Sequence, residues 1–186
     1  DLHAGEDHAE LEALAGEAQA MARNGAHVTL IDSNRDGLAK AVAELRGEGG
    51  DVQGEPADVT RDDELRGALD AATARHGRLD VMFANAGMSG GPGFLRTDGS
   101  RNPDSTFENL SPELWNKVLN LNLSSIFRTI QLVTPQMKRQ GNGRIIVTSS
   151  ISVIKTENHV SAIYVAAKAA LNQLVRQVAL ELAGYG

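Results

Sequence analysis

The chain has 186 residues, 41% hydrophobic and 23% charged, and carries a formal net charge of -6. This is ordinary globular composition, read as a single domain spanning residues 1–186 with apolar residues enough for a core. The acidic balance, with no Lys/Arg block, argues against a nucleic-acid surface, and no apolar run approaches the roughly 18 residues that cross a membrane.

Taken in chain order, residues 1–15 are rich in helix formers and read as helical or irregular. AHVTLID (26–32) is a run rich in β-branched residues and reads as a buried strand. GLAKAVAELRGEGG follows as an amphipathic helix closed by glycines, and VQGEPADVT as a short strand. DDELRGALDAATARHG reads as a second helix with acids in its first turn. LDVMFANAG (79–87) is the third strand, and a Gly/Pro/Ser-rich loop covers 88–111. SPELWNKVLNLNLSSIFRTIQLVTPQMKRQG opens with a serine cap and a proline at the first helical position, and reads as one long helix. GRIIVTSS is the fourth strand, and SAIYVAAKAALNQL begins the final helix. Strands alternating with helices point to an α/β fold with a parallel sheet and crossover helices.

In that final helix Tyr164 and Lys168 are four residues apart and share a face. A phenol with an ordinary pKa of about 10 is a poor proton donor or acceptor at neutral pH. A nearby cation favours the phenolate and brings the group into a useful range. The other titratable groups suggest less. The histidines, His3, His8, His27, His76 and His159, never fall at ligand spacings such as H-x-x-x-H, so they read as surface or packing residues and no metal is expected. The absence of cysteine excludes disulfides and thiolate metal sites. The start DLHAGEDHAE has neither the basic nor the apolar region of a secretory signal, and a cytoplasmic location is expected.

From about Gly16 to Gly186 the chain resembles the short-chain dehydrogenase/reductase family. ANAG (84–87) is similar to the family's N-A-G turn and NLNL (120–123) to its V-N-L helix segment. GRIIVTSS leads to YVAAK as the family's serine strand leads to its tyrosine helix. These patterns stand in the family's order, which is far more specific than any one alone. The resemblance implies a Rossmann-type doubly wound parallel sheet with helices on both faces. The activity it implies is that of an NAD-dependent alcohol dehydrogenase or ketoreductase transferring hydride between a nicotinamide and a secondary alcohol or ketone.

Carried over by position, the resemblance makes Tyr164 the general acid in reduction and the general base in oxidation. Lys168 would lower the tyrosine pKa and hold the nicotinamide ribose. Ser150, at a strand end where open α/β sheets expose their ligand crevice, would donate to the substrate oxygen, with Ser149 and Ser152 as neighbouring rivals. Asn122 would support a water relay behind the lysine, its plainer reading being a brace within a buried helix; Asn120 is the weaker candidate. The interval from Ser150 to Tyr164 is one residue longer than the family's commonest spacing and implies a small bulge.

For the cofactor, Asp32 ends its strand where an acid accepts from the adenosine ribose hydroxyls and repels a 2′-phosphate, which favours NAD over NADP. Arg35 close by tempers that preference, because a guanidinium can turn to a phosphate. Asp58 and Val59 resemble the family's adenine-contacting turn, Asp58 reading otherwise as a helix cap. Asn85, Ala86 and Gly87 would line the cofactor with backbone groups, and Gly87 permits close approach.

The family's first strand and its T-G-x-x-x-G-x-G loop have no match here, since the only glycines before Gly25 are Gly5 and Gly16. The sheet is therefore expected to be incomplete at both ends, without the N-terminal glycine-rich strand and loop or the C-terminal strands. Facing edges of the strands at 27–32 and 79–84 would then lack partners. Asn122, Ser150, Tyr164 and Lys168 kept together favour part of a longer dehydrogenase over a remnant that has lost cofactor binding. Two rivals stand beside the dehydrogenase: a non-catalytic binding or scaffold protein on a degraded Rossmann fold, and a nucleotide-sugar epimerase or dehydratase, against which the short chain and ANAG turn argue. The loop at 88–111 reads equally as a lid presenting Phe94, Leu95 and Phe107 to an apolar substrate or as a surface insertion. The helices from Pro112 and Ser161 resemble those that pair between subunits, implying a homodimer or homotetramer.

Overall fold

Residues 16–186 are described by a computed structural model, and the expectation for residues 1–15 lies outside them. The chain divides into two compact units, Asp1–Leu79 and Asp80–Gly186.

In the first unit the helix α1 covers residues 16–23, followed by β1 (His27–Asp32), α2 (Arg35–Gly47), β2 (Asp51–Pro56) and α3 (Asp62–His76). Asn34 starts α2 by accepting the Gly37 N–H at 3.0 Å. Parallel strands need a crossover of about a dozen residues, which α2 supplies. β1 and β2 then pair in register from His27 opposite Asp51 to Asp32 opposite Pro56. Leu38, Val42 and Leu45 of α2 pack with Val52 and Ala18, with Ala22, Val28 and Leu30 partly buried around them. The second strand is shorter than the sequence suggests. It ends at Pro56, just beyond which Ala57 N–H donates to Asp32 O at 3.0 Å, and the ADVT segment then turns. The turn is held by Asp58 Oδ1, which accepts from Thr60 N–H at 2.8 Å and from the Thr60 hydroxyl at 2.7 Å.

The second unit contains β3 (Val81–Ala84), α4 (Pro112–Leu119), α5 (Ser125–Gln140), β4 (Arg144–Val147) and α6 (Ala162–Leu182). Ser111 caps α4 by accepting Leu114 N–H at 3.0 Å, with Pro112 in the first turn as expected. The single long helix of the sequence reading is interrupted between α4 and α5 by a π-helical turn, Asn120–Ser124. β3 and β4 pair in parallel from Val81 opposite Arg144 to Ala84 opposite Val147. Both strands are shorter than expected: past Val147, Thr148 N–H still reaches Ala84 O at 3.2 Å, and the Thr148 carbonyl turns to Lys168 Nζ at 2.9 Å. Ala84, Ile126, Ile130 and Leu171 form one core cluster. Val118, Ile163 and Ala167 form another.

The loop at 88–111 is ordered by backbone pairing. Gly93 N–H donates to His159 O at 2.9 Å and Leu95 N–H to Asn158 O at 3.1 Å, tying it to the segment that enters α6. Two 3-10 turns, Pro103–Ser105 and Phe107–Asn109, complete it.

β1 pairs with β2 and β3 with β4, and no further strand joins these pairs among the described residues. This is an α/β Rossmann-type arrangement of parallel strands and flanking helices, with the reduced strand set that the sequence implies. No helix among the described residues is long and apolar enough to cross a membrane.

Candidate active site

α6 sets out its polar side chains by simple helical arithmetic. Tyr164, Lys168 and Asn172 recur every four residues and so lie along one face. Ser161 caps the helix, accepting Ile163 N–H at 3.4 Å, and Ile163, Ala167 and Leu171 are buried. That packing holds the polar face against the end of β4. Lys168 is only 3% exposed, and a buried ammonium needs partners. Its Nζ donates to the Thr148 carbonyl at 2.9 Å and lies 5.7 Å from the centroid of the Tyr164 ring. This distance is within cation–π range. The Tyr164 hydroxyl has no hydrogen-bond partner among the described residues.

The serines after β4 have distinct partners. Ser149 Oγ donates to Asn172 Oδ1 at 2.6 Å, so it is committed to α6. Ser152 is buried. Ser150 is half-buried, heads the 3-10 turn Ile151–Val153 and accepts Ser152 N–H at 3.2 Å. The two hydroxyls of Ser150 and Ser152 share a hydrogen bond of 2.5 Å. If Ser152 donates, the Ser150 hydrogen is left for another acceptor.

Asn122 has 0% exposure. Its amide donates to Met88 O at 3.0 Å and Val118 O at 3.1 Å, and its Oδ1 accepts Met88 N–H at 3.2 Å. Both amide hydrogens are therefore in use, and the side chain braces the turn after β3. Asn120 Oδ1 instead accepts from Arg128 at 3.1 Å. Gly87 lies under this brace: a Cβ there would meet Asn122 Oδ1 at 2.7 Å and Lys168 Nζ at 3.7 Å, so only glycine fits without movement. Asn85 Oδ1 accepts the Thr148 hydroxyl at 2.5 Å, joining the ends of β3 and β4. The structure thus gathers Asn85, Gly87, Asn122, Thr148, Tyr164 and Lys168 at one end of these strands. Thr148, Asn172 and Met88 were not singled out in the sequence. Of these only Asn172 left a signal, its place one turn beyond Lys168.

In the first unit Asp32 closes β1. Its Oδ1 accepts Asn34 N–H at 2.7 Å, and Oδ2 has no partner among the described residues, leaving an acceptor suited to a sugar diol. Asp58 is not the cap of α3; that position falls to Arg61. Asp58 Oδ1 is engaged by Thr60, while the Asp58 N–H donates to Glu64 Oε2 at 2.9 Å and its carbonyl accepts Arg61 N–H at 2.9 Å. Within each unit the side-chain chemistry suits a ribose diol: a carboxylate at Asp32 in the first, and an ammonium and a phenol at Lys168 and Tyr164 in the second.

Comparison with known proteins identifies the family of the chain. The sequence pattern of the short chain dehydrogenase family matches residues 15–186. Dehydrogenase/reductase SDR family member 4 of Bos taurus is 30% identical over 166 residues, covering 89% of this chain and 55% of its own length. The chain thus spans about half the length of that curated relative. An NAD+-bound xylitol dehydrogenase superposes with a TM-score of 0.80 at 28% identity, over 92% of this chain and 61% of that one. A variant of the actinorhodin polyketide ketoreductase with NADPH gives a TM-score of 0.78 at 29% identity, over 91% of this chain and 60% of that one. Relatives with either cofactor are therefore similar to this chain.

Proposed function

The chain belongs to the short-chain dehydrogenase family, and from that premise we propose that it serves an NAD-dependent interconversion of a secondary alcohol and a ketone with Tyr164 as the proton-transferring group. The observation that carries this reading is the buried Lys168 ammonium, fixed by the Thr148 carbonyl and 5.7 Å from the centroid of the Tyr164 ring. The nicotinamide group supplies or accepts the hydride when bound. Tyr164 gives its hydroxyl proton to the carbonyl oxygen in reduction and takes one from the alcohol in oxidation. Lys168 places positive charge beside the phenolate that proton transfer leaves, and its ammonium holds the nicotinamide ribose. Ser150 aims its hydroxyl hydrogen at the substrate oxygen, oriented by Ser152. Asn122 acts as a positioning residue: with both amide hydrogens committed, its part is to hold the turn at Gly87 rather than to pass a proton itself.

Asp32 supports NAD over NADP, because a carboxylate accepts from ribose hydroxyls and repels a phosphate. Trp115, Phe127 and Leu180, exposed on α4, α5 and α6, support self-association through these helices. The test is to assay the whole protein against a panel of secondary alcohols and the matching ketones with each nicotinamide cofactor. Cofactor-dependent turnover of members of the panel is expected, and no turnover in either direction would refute the reading.

A further inference from the structure

Within the first unit, three potential ligands from three elements meet at the opposite end of β1 from Asp32. His27 is the first residue of β1, Asp51 the first of β2 and its in-register neighbour, and His76 the last residue of α3. One nitrogen from each imidazole and one carboxylate oxygen all lie within 4.8 Å of one another. We propose that His27, Asp51 and His76 form a site for a borderline divalent transition metal such as zinc.

The chemistry of the set selects the ion. Two imidazoles and one carboxylate suit zinc, nickel or copper, whereas calcium and magnesium require mostly oxygen donors. Zinc bonds to nitrogen and oxygen of about 2.0–2.2 Å set tetrahedral ligand atoms roughly 3.4 Å apart. The observed spread closes to that separation by side-chain rotation, which the exposed His27 and His76 can make. The rings now stack, with centroids 4.0 Å apart and planes 17° from parallel, so His76 must turn for both lone pairs to meet one ion. His27 Nδ1 already shares a hydrogen bond with Asp51 Oδ2. A metal there replaces the shared proton, which is released to solvent. Asp51 Oδ1 is meanwhile held by Arg75, as ligating carboxylates are commonly oriented by an outer partner. Three protein ligands leave a fourth position to water. Such an ion clamps the starts of both strands to the end of α3, a structural role independent of the dehydrogenase reading.

The test is a titration of Zn2+ alone into the whole protein after EDTA treatment and dialysis, followed by histidine ring NMR and by thermal unfolding. At one equivalent the His27 and His76 resonances should move together while those of His159 stay. The Tm should rise with Zn2+ and not with Ca2+. His76→Asn, at an exposed helix end, should weaken binding by at least about tenfold while keeping the far-UV circular dichroism of the parent. Should His76→Asn fail to fold, the NMR titration of the parent decides alone. Saturation at His3 or His8 instead, no saturable binding, or a His76→Asn variant binding as tightly as the parent would overturn the site.

Discussion

Asn122 shows how far one residue can organise its surroundings. It is wholly buried, and its two side-chain polar atoms make three hydrogen bonds, to Met88 N–H, Met88 O and Val118 O. Removing the side chain leaves buried backbone groups without partners, each costing about 1–3 kcal/mol. Asn122→Ala is therefore expected to lower stability by about 2–3 kcal/mol, with partial repair by water. Urea unfolding measures this, and a loss below about 0.5 kcal/mol, the range of an ordinary surface change, would contradict the brace. Sequence alone identified Asn122 through its resemblance to a family segment. It did not reveal that the amide is saturated, because two of its three bonds are to the backbone of Met88, far away in the chain.

At the scale of elements, α4, the π-helical turn and α5 form one path in which the turn matters most. A π-helical turn adds a residue and rotates the following face by about one residue's turn of the helix. Asn122 is thereby buried while Asn120 pairs with Arg128. The start at Ser111–Pro112 and the stop at Gly141 were legible, since capping residues act locally. The π-helical turn was not, because NLNLS carries no breaker and its apolar residues suit either helix. α6 depends on its apolar side: Leu171 is fully buried against Ala84, Ile126 and Ile130. Leu171→Ala should cost about 2–5 kcal/mol with an unchanged denaturant slope. A cost under about 1 kcal/mol would show that this face is not the helix's anchor.

For the whole molecule, the alternation of strand and helix made the α/β class legible, and motif order made the family legible. The strand pairing was not, because a parallel ladder joins segments distant in the chain and leaves no local pattern. The same limit hid the meeting of His27, Asp51 and His76, since spacing rules detect ligands on one element only. Cofactor choice belongs to this scale as well. With Asp32 Oδ2 available to a ribose hydroxyl, calorimetry on the whole protein should show tighter binding of NAD+ than NADP+, and Asp32→Ala should shrink that difference by about tenfold or more. An unchanged preference in the variant would remove Asp32 from the selection.

The central claim is that the phenol beside Lys168 moves the proton. Its most direct test is kcat of the whole protein as Tyr164→Phe, which keeps the ring and loses only the hydroxyl. A fall of about 10²–10⁴-fold, with cofactor affinity kept within a few-fold, is expected. Near-parental kcat in the variant would contradict the account.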